Sequence, residues 1–291
     1  MGDYNNNTTN TGVFYENSTE YQHYMKIEFI MHVTTCVIVS IGLPLTLLTI
    51  CALCFLVRKD HVAPIYVINL LITDLLQLCC LIVFESGSEN FYFFAIVFNI
   101  YYCLLVTSVC FMVCIALERY LVIAHPLWYR FRRTTKISVA VCAVVWVVPP
   151  VFCFTMLPLV GETVVQLTLS SFLIVPFPLF IFFLVGTLRA LSASVSVPSE
   201  EKRRIVGILV LVLLIYTLLF LPTIILFMIQ GAVSYNLYIL GSMFIRLSPL
   251  ADLSLYVFIR KDISSKFLAA VCCCKMESNA NDEPAVNIDD I

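Results

Sequence analysis

The chain has 291 residues, of which 61% are hydrophobic and 12% are charged. A soluble globular domain carries about 25% charged residues, so the composition excludes that class. The formal net charge of −2 also excludes a strongly basic nucleic-acid-binding protein.

Seven segments of the chain stay apolar over the roughly 20 residues that a helix needs to cross a bilayer. They occupy residues 27–57, 63–84, 91–124, 137–159, 165–191, 205–229 and 235–259. The connections between them are too short to hold another folded domain. The pattern predicts an all-α membrane protein with a seven-helix transmembrane bundle over residues 27–259.

Positive charge is concentrated at one set of span ends. Fifteen of the seventeen Lys and Arg residues lie there, within 58–59, 119–136, 189–204 and 260–275. Because basic residues favour the cytoplasmic side, we expect the N-terminus outside the plasma membrane and the C-terminus inside it. That arrangement requires an odd number of spans, which agrees with seven. No cleavable signal peptide is expected, since residues 1–26 lack an apolar core.

The N-terminal segment, residues 1–26, carries three glycosylation sequons, at Asn6, Asn7 and Asn17. Such triplets arise by chance in Asn- and Thr-rich sequence, so unused sequons in a disordered tail are one interpretation. Their position on the side predicted to be extracellular favours a glycosylated tail.

Ten of the thirteen cysteines lie inside predicted spans, where they behave as small apolar residues. The other three, Cys272, Cys273 and Cys274, follow an amphipathic stretch just past the last span. We expect them to be palmitoylated, which would hold residues 260–274 against the membrane as a short cytoplasmic amphipathic eighth helix. Residues 275–291 would then form a short acidic cytoplasmic tail.

Residues with special chemistry recur at definite places within the spans. The second span contains Asn69-Leu70-Leu71-Ile72-Thr73-Asp74-Leu75-Leu76, and the third ends in Glu118-Arg119-Tyr120 followed by His125-Pro126-Leu127. The fourth span has Trp146, the sixth Pro222, and the seventh Asp252-Leu253-Ser254-Leu255-Tyr256. A charged pair is excluded from hydrocarbon, so the third helix should leave the membrane at its Glu-Arg pair.

Over residues 27–270 this pattern resembles the rhodopsin-like G-protein-coupled receptors. In that family an Asp/Glu-Arg-Tyr triplet lies at the cytoplasmic mouth, and its Arg engages the G protein on activation. The resemblance implies that Arg119 contacts a heterotrimeric G protein, with Glu118 and Tyr120 beside it. It also implies that Leu127 inserts into a pocket of the G protein and that Tyr256 swings inward to support the arginine. Arrestin is a further partner that the resemblance implies.

The sequence departs from the family pattern at several positions. Leu253 replaces the usual proline of the seventh helix, although Pro249 lies one turn earlier and can kink the helix instead. Phe220 stands in for the usual Trp two residues before the kink proline, Pro222. Lys202 lies where some members place an acid facing the triplet Arg, so other contacts must hold the inactive state.

The disulfide that usually ties the third helix of this family to the second extracellular loop is missing. Its helix position corresponds to Phe94, and residues 159–170 contain no cysteine. We therefore expect packing alone to hold the extracellular loops.

Four polar residues are expected to meet inside the bundle. Asp74 and Ser108 match the family's sodium ligands, and Ser248 and Asp252 match positions that line the same cavity. Two buried carboxylates close together cannot both stay ionised unless a cation joins them or one keeps a proton. Three interpretations stay open: a bound sodium ion, a shared proton, or a hydrated polar network without an ion. No other cofactor and no metal-ligand spacing is expected.

Arg246 is the one basic residue deep in a predicted span. It is either a counter-ion for an acidic ligand group or part of an internal salt bridge with Glu85, and the bridge is favoured because an unpaired Arg is costly. A mainly aromatic pocket would be lined by Tyr101, Tyr102, Phe220, Thr223 and Phe227, with packing as the alternative role for these residues. The ligand would be a small molecule, a lipid or a proton. An amine is disfavoured, since Tyr101 occupies the position where amine receptors carry an Asp.

The leading hypothesis is a receptor, not an enzyme, that couples an extracellular ligand to heterotrimeric G proteins. One alternative is a membrane transporter, which would favour internal repeats that are not visible here. Another is a receptor-like protein that binds a ligand but does not signal. The missing disulfide, Leu253 and Phe220 favour that alternative, whereas the intact Glu-Arg-Tyr triplet opposes it.

Overall fold

The computed structural model describes residues 9–57, 65–86, 90–125, 129, 135–156, 162–193, 199–228 and 235–259. Within these ranges the chain forms nine helices. They are α1 Thr9–Val57, α2 Ile65–Glu85, α3 Phe91–Ala124, α4 Thr135–Met156, α5 Glu162–Ile174, α6 Pro176–Ala193, α7 Ser199–Met228, α8 Tyr235–Arg246 and α9 Ser248–Ile259.

The predicted all-α transmembrane bundle is confirmed. Six helical segments of the described chain are long and apolar enough to cross a membrane. They are Met25–Cys54, Ile65–Glu85, Tyr92–Ala124, Lys136–Thr155, Thr168–Ser192 and Ile205–Leu226. The seventh predicted span is present as α8 and α9, two helices of 12 residues each that follow one another across Leu247.

Two spans are interrupted, and a proline accounts for each interruption. Between α8 and α9 the amide of Leu247 is shared between the carbonyls of Met243 and Phe244, both at 3.2 Å. Pro249 has no amide hydrogen to continue the helical pattern, which accounts for this interruption. The break between α5 and α6 at Val175 was not predicted. Val175 directly precedes Pro176, and the residue before a proline is disfavoured in the helical region.

The first helix is longer than the sequence analysis predicted. Residues 1–26 were assigned to a tail, yet α1 already begins at Thr9 and continues without interruption to Val57. No glycine or proline occurs between residues 13 and 41, so nothing in that stretch breaks the helix. Asn17 therefore lies within α1. Asn6, Asn7, the predicted helix 260–274 with Cys272, Cys273 and Cys274, and the tail 275–291 lie outside the described residues.

The helices form a bundle around α3, which contacts α2, α4, α6 and α7. In the most apolar 18-residue window of α3, 72% is buried inside the bundle, against 17% in α4. The α1 helix closes the ring by contacting α2, α8 and α9. Exposed valines cover the outer face of α4: Val139, Val144, Val147, Val148 and Val151. This is the surface that lipid would cover.

Candidate functional site

The charged triplet at the end of α3 is held by a residue of the following connection. The hydroxyl of Tyr129 donates a hydrogen bond of 2.7 Å to Oε1 of Glu118. The other carboxylate oxygen, Oε2, lies 3.7 Å from Nη2 of Arg119. Glu118 is buried, and 21% of the Arg119 side chain is exposed. Tyr129, Glu118 and Arg119 therefore form one connected polar cluster, in which Glu118 holds the guanidinium.

Tyr120 is packed against aromatic rings of α6. Its ring centroid lies 5.8 Å from that of Phe182 and 5.7 Å from that of Phe183, with His125 on another side at 6.2 Å. Gly186 allows this close approach, because an added Cβ there would meet Cε2 of Tyr120 at 2.6 Å. The third residue of the triplet thus fixes the end of α3 against α6.

Asp74 on α2 and Asp252 on α9 face each other in the centre of the bundle. Both are fully buried, as are Ser108 on α3 and Ser248 on α9. The two carboxyl groups lie close enough to interact directly, and Ser248 lies beside Asp252. The structure therefore brings together the carboxylates and the serine of α9 at the polar centre that the sequence predicted, and Ser108 is buried on α3.

The hydrogen-bonding capacity of this centre is largely unused within the described chain. None of the four carboxylate oxygens, nor Oγ of Ser248, has a well-formed hydrogen bond to a described residue. Ser108 donates to the carbonyl of Leu105 at 2.8 Å and keeps lone pairs to offer. Several oxygen donors and compensating negative charge are what a small hard cation such as sodium requires. The residues present therefore fit a sodium ion.

Two further buried polar residues were given no site role from the sequence. Gln77 on α2 and Thr46 on α1 are fully buried, and their side-chain polar atoms have no partner among the described residues. Gln77 lies three residues after Asp74, which places both on one face of α2. That spacing was the available signal for Gln77.

The motif residues Asn69 and Trp146 join α2 to α4. The indole of Trp146 donates a 2.8 Å hydrogen bond to Oδ1 of Asn69. The Asn69 amide in turn donates to the carbonyl of Ile65 at 2.9 Å and to Sγ of Cys142 at 3.5 Å. These residues support the framework rather than line a cavity.

Phe220, Thr223 and Pro222 lie on α7 in packed surroundings. Phe220 is fully buried, with its ring 4.7 Å from that of Tyr216. Thr223 donates to the carbonyl of Gly241 at 3.0 Å, which links α7 to α8 next to Pro222. Neither Phe220 nor Thr223 is among the residues that line the cavity described next. Their place in a ligand pocket stays a prediction.

A cavity of about 690 Å³ opens between α1, α2, α3 and α8. The predicted pocket residues Tyr101, Tyr102 and Arg246 line it. The other lining residues are Met25, Glu28, Phe29, Met31, His32, Phe84, Glu85, Phe94, Phe98, Ser242 and Ile245. The volume is within the range of ligand pockets, and the walls are mainly apolar and aromatic with a few charged groups at one edge.

Aromatic packing surrounds Phe94, the position that corresponds to the missing disulfide. The ring of Phe94 lies 5.4 Å from that of Phe84 and 6.4 Å from that of Phe98. Phe84 also contacts Tyr101 at 5.7 Å, and Phe98 contacts Tyr102 at 4.6 Å. These five rings bind the first turns of α3 to the end of α2.

The charged edge of the cavity is centred on Glu85. Its Oε1 lies 3.6 Å from Nη1 of Arg246, so the predicted salt bridge is present. Arg246 also donates a 2.6 Å hydrogen bond to Oγ1 of Thr35. On its other side Glu85 is hydrogen-bonded to Nδ1 of His32, whose Nε2 lies 3.8 Å from Sγ of Cys36. His32, Cys36 and Glu85 bring three potential metal-ligand atoms within 4.8 Å of one another, a grouping that was not expected from the sequence.

The side chains of three further predicted site residues are not described. Leu127 falls between the described residues 125 and 129. Tyr256 and Phe227 lie on α9 and α7, but their side chains are not described. Their predicted roles stay predictions.

Comparison with known proteins agrees with this architecture. The model of the family described as "7 transmembrane receptor (rhodopsin family)" matches residues 45–166. The 2-oxoglutarate receptor 1 of Rattus norvegicus is 26% identical over 89% of this chain and 88% of its own length. Proteinase-activated receptor 1 of Xenopus laevis is 26% identical over 82% of this chain and 66% of its own length. A purinoceptor of Rattus norvegicus is 32% identical over 40% of this chain and 38% of its own length.

Proposed function

Since the chain belongs to the rhodopsin family of seven-transmembrane receptors, we propose that a ligand in the cavity of α1, α2, α3 and α8 controls the engagement of a G protein by Arg119. The protein is a G-protein-coupled receptor and not an enzyme, and its relatives do not favour a transporter or a receptor that fails to signal. The steps that connect the cavity to the G protein are our proposal.

The observation that carries this proposal is the polar cluster at the end of α3. Lys202 takes the place of the acid that faces the triplet arginine in some family members, so that acid cannot restrain Arg119. Instead Tyr129 donates to Glu118, and Glu118 holds the guanidinium of Arg119. Activation would loosen this cluster and release Arg119 towards the G protein. Leu127 and Tyr256 would assist, the first by contacting the G protein and the second by supporting Arg119.

The chemistry of the cavity favours a ligand with an apolar, aromatic-compatible body and at most one anionic group. Glu28 and Glu85 line the cavity together with Arg246, so acidic groups outnumber the arginine. Arg246 is already paired with Glu85 and Thr35. A monoanionic ligand could take Arg246 from Glu85, but a dicarboxylate or a nucleotide would meet uncompensated carboxylates. The ligand would therefore differ in charge from the one indicated by the name 2-oxoglutarate receptor.

The buried pair of Asp74 and Asp252 would bind sodium more tightly in the inactive bundle than in the active one. A sodium ion would be held by these carboxylates with Ser108 and Ser248, and it would supply positive charge that stabilises their ionised forms. Because a ligand shifts a population only through differential affinity, an ion that fits the closed bundle better stabilises the inactive receptor. Pro222 and Pro249 would provide the flexible points at which α7 and the α8–α9 span move.

The orientation and modifications form a further part of the proposal. The basic ends of the spans would face the cytoplasm, which places the N-terminus and the ligand cavity outside the plasma membrane. Asn6, Asn7 and Asn17 would then be available for glycosylation. The cysteines of 272–274 would be acylated at the inner leaflet. Arrestin would be a second cytoplasmic partner.

The ligand proposal is tested by screening compounds grouped by charge in cells that carry a panel of G-protein dissociation sensors. We expect responses to neutral or monoanionic apolar compounds and none to dicarboxylates or nucleotides. For a monoanionic agonist, Arg246→Gln should weaken the response more than it weakens the response to a neutral analogue. Arg119→Ala should abolish both responses at equal surface expression. Agonism by dicarboxylates or nucleotides that depends on Arg246 would contradict the proposed ligand class.

A further inference from the structure

His32 and Cys36 present two metal-ligating atoms on the same face of α1. They are four residues apart, so their side chains lie one above the other on the helix. Nε2 of His32 lies 3.8 Å from Sγ of Cys36. Two such atoms bound to one tetrahedral zinc ion, at about 2.0 Å and 2.3 Å, would be about 3.5 Å apart. The pair therefore already has nearly the spacing of ligands that share an ion.

Glu85 of α2 supplies a carboxylate to the same place. It is hydrogen-bonded to Nδ1 of His32, and the three potential ligand atoms of His32, Cys36 and Glu85 lie within 4.8 Å of one another. His32 and Glu85 line the cavity, so an ion can reach the site through it.

We propose that His32, Cys36 and Glu85 form a binding site for Zn²⁺ that joins α1 to α2 at the edge of the cavity. Imidazole nitrogen, thiolate sulfur and carboxylate oxygen are the three ligand types of protein zinc sites, and water would take the fourth position. On binding, the Cys36 thiol loses its proton to the solvent, so thiolate and carboxylate together balance the charge of the ion. The ion would be held by Nε2 of His32, which already lies beside Cys36. Glu85 would give up its hydrogen bond to Nδ1 and rotate to the Nε2 side of the ring to coordinate the ion. The site does not depend on the identity of the ligand or of the G protein.

Arg246 competes with the metal for Glu85. Its guanidinium lies 3.6 Å from Oε1 of this carboxylate and also hydrogen-bonds to Thr35. Because the positive charge of Arg246 repels a cation at Glu85, its removal should make zinc binding tighter. Zinc binding would in turn weaken the ion pair between Glu85 and Arg246, while the hydrogen bond from Arg246 to Thr35 would remain. The metal site is thus connected to the charged residue of the proposed ligand cavity.

The test is a titration of purified full-length receptor with ZnCl₂, followed by metal analysis after equilibrium dialysis and by thermal melting, with MgCl₂ as the control ion. We expect wild type to bind one zinc ion more than Cys36→Ser does. His32→Asn, Cys36→Ser and Glu85→Gln should each weaken that site roughly tenfold or more, since even outer partners of metal ligands contribute 10–100-fold. Arg246→Gln should tighten it. The matched control Cys51→Ser, which removes another exposed thiol of α1, should leave it unchanged.

A measurement on the wild type alone guards against variants that fold poorly. Zinc, but not magnesium, should protect Cys36 from alkylation by a maleimide, while the labelling of Cys51 continues. Equal zinc binding by wild type and all three ligand variants would overturn the proposal. Loss of binding in Cys36→Ser alone, with His32→Asn and Glu85→Gln unaffected, would also overturn it, because the metal would then be held by an isolated thiol.

Discussion

Replacing Tyr129 by Phe should raise the signalling of the receptor in the absence of added ligand. The phenol of Tyr129 donates a 2.7 Å hydrogen bond to Glu118, and the other oxygen of Glu118 lies 3.7 Å from Arg119. The substitution removes the hydroxyl and keeps the ring. If the bond exists only in the inactive receptor, its loss destabilises that state and shifts the population towards the active one.

The size of the effect follows from the strength of this bond. A hydrogen bond to a charged group contributes about 1.5–3 kcal/mol, and the lower end suits a part-buried partner. About 1.4 kcal/mol corresponds to a tenfold change in the equilibrium constant. A receptor that is about 1% active would then become about 9% active, by the arithmetic of a two-state equilibrium.

The assay is basal dissociation of G-protein sensors in cells, at surface expression matched by an N-terminal tag. Tyr21→Phe is the matched control, because it removes a hydroxyl from a residue that is 65% exposed. Arg119→Ala defines the signal of an uncoupled receptor. Basal activity of Tyr129→Phe equal to or below that of wild type would refute the role assigned to the Tyr129–Glu118–Arg119 cluster.

Three further substitutions test other parts of the structure. Sodium should raise the melting temperature of the wild type relative to choline at equal ionic strength, and Asp74→Asn should abolish this rise. If both proteins respond identically, Asp74 and Asp252 form only a hydrated polar network. Gly186→Ala should lower the melting temperature, because its methyl group collides with the ring of Tyr120, and overpacking costs about 1–3 kcal/mol. Gly207→Ala is the control, since its methyl group meets nothing within 4 Å and alanine favours the helix. Trp146→Phe removes the indole hydrogen bond to α2 and should destabilise by about 0.6–1.7 kcal/mol, the range for interhelical bonds in membranes; an unchanged melting temperature would show that this bond contributes nothing.

Features that follow from the chemistry of a single residue, or from positions fixed by a motif, were predictable from the sequence. The helix interruption at Pro249 follows from the missing amide hydrogen of proline, whatever surrounds it. The Arg246–Glu85 bridge was predictable because an arginine inside a span must find an acid, and few acids were available. The meeting of Asp74 and Asp252 came from the family motifs rather than from composition or spacing.

Contacts that depend on how the helices are rotated in the bundle were not predictable. The hydrogen bond from Thr223 to Gly241 is one of them, since the sequence does not show which face of α7 is turned towards α8. The four-residue spacing of His32 and Cys36 is visible in the sequence of α1. That Glu85 of α2 lies beside this pair is not, because it depends on how α1 and α2 pack. The extension of α1 to Thr9 was missed for a different reason, since a polar segment gives no apolar periodicity to indicate a helix.

The central claim is that this receptor activates G proteins through Arg119. The most direct test is nucleotide exchange on purified heterotrimeric G proteins by receptor reconstituted in lipid nanodiscs, using wild type and Tyr129→Phe, each with and without Arg119→Ala. We predict that the receptor accelerates exchange on at least one G-protein class, more strongly with Tyr129→Phe. Arg119→Ala should remove the acceleration in both backgrounds while leaving the melting temperature nearly unchanged. Exchange that is equally fast with and without Arg119→Ala would contradict the account.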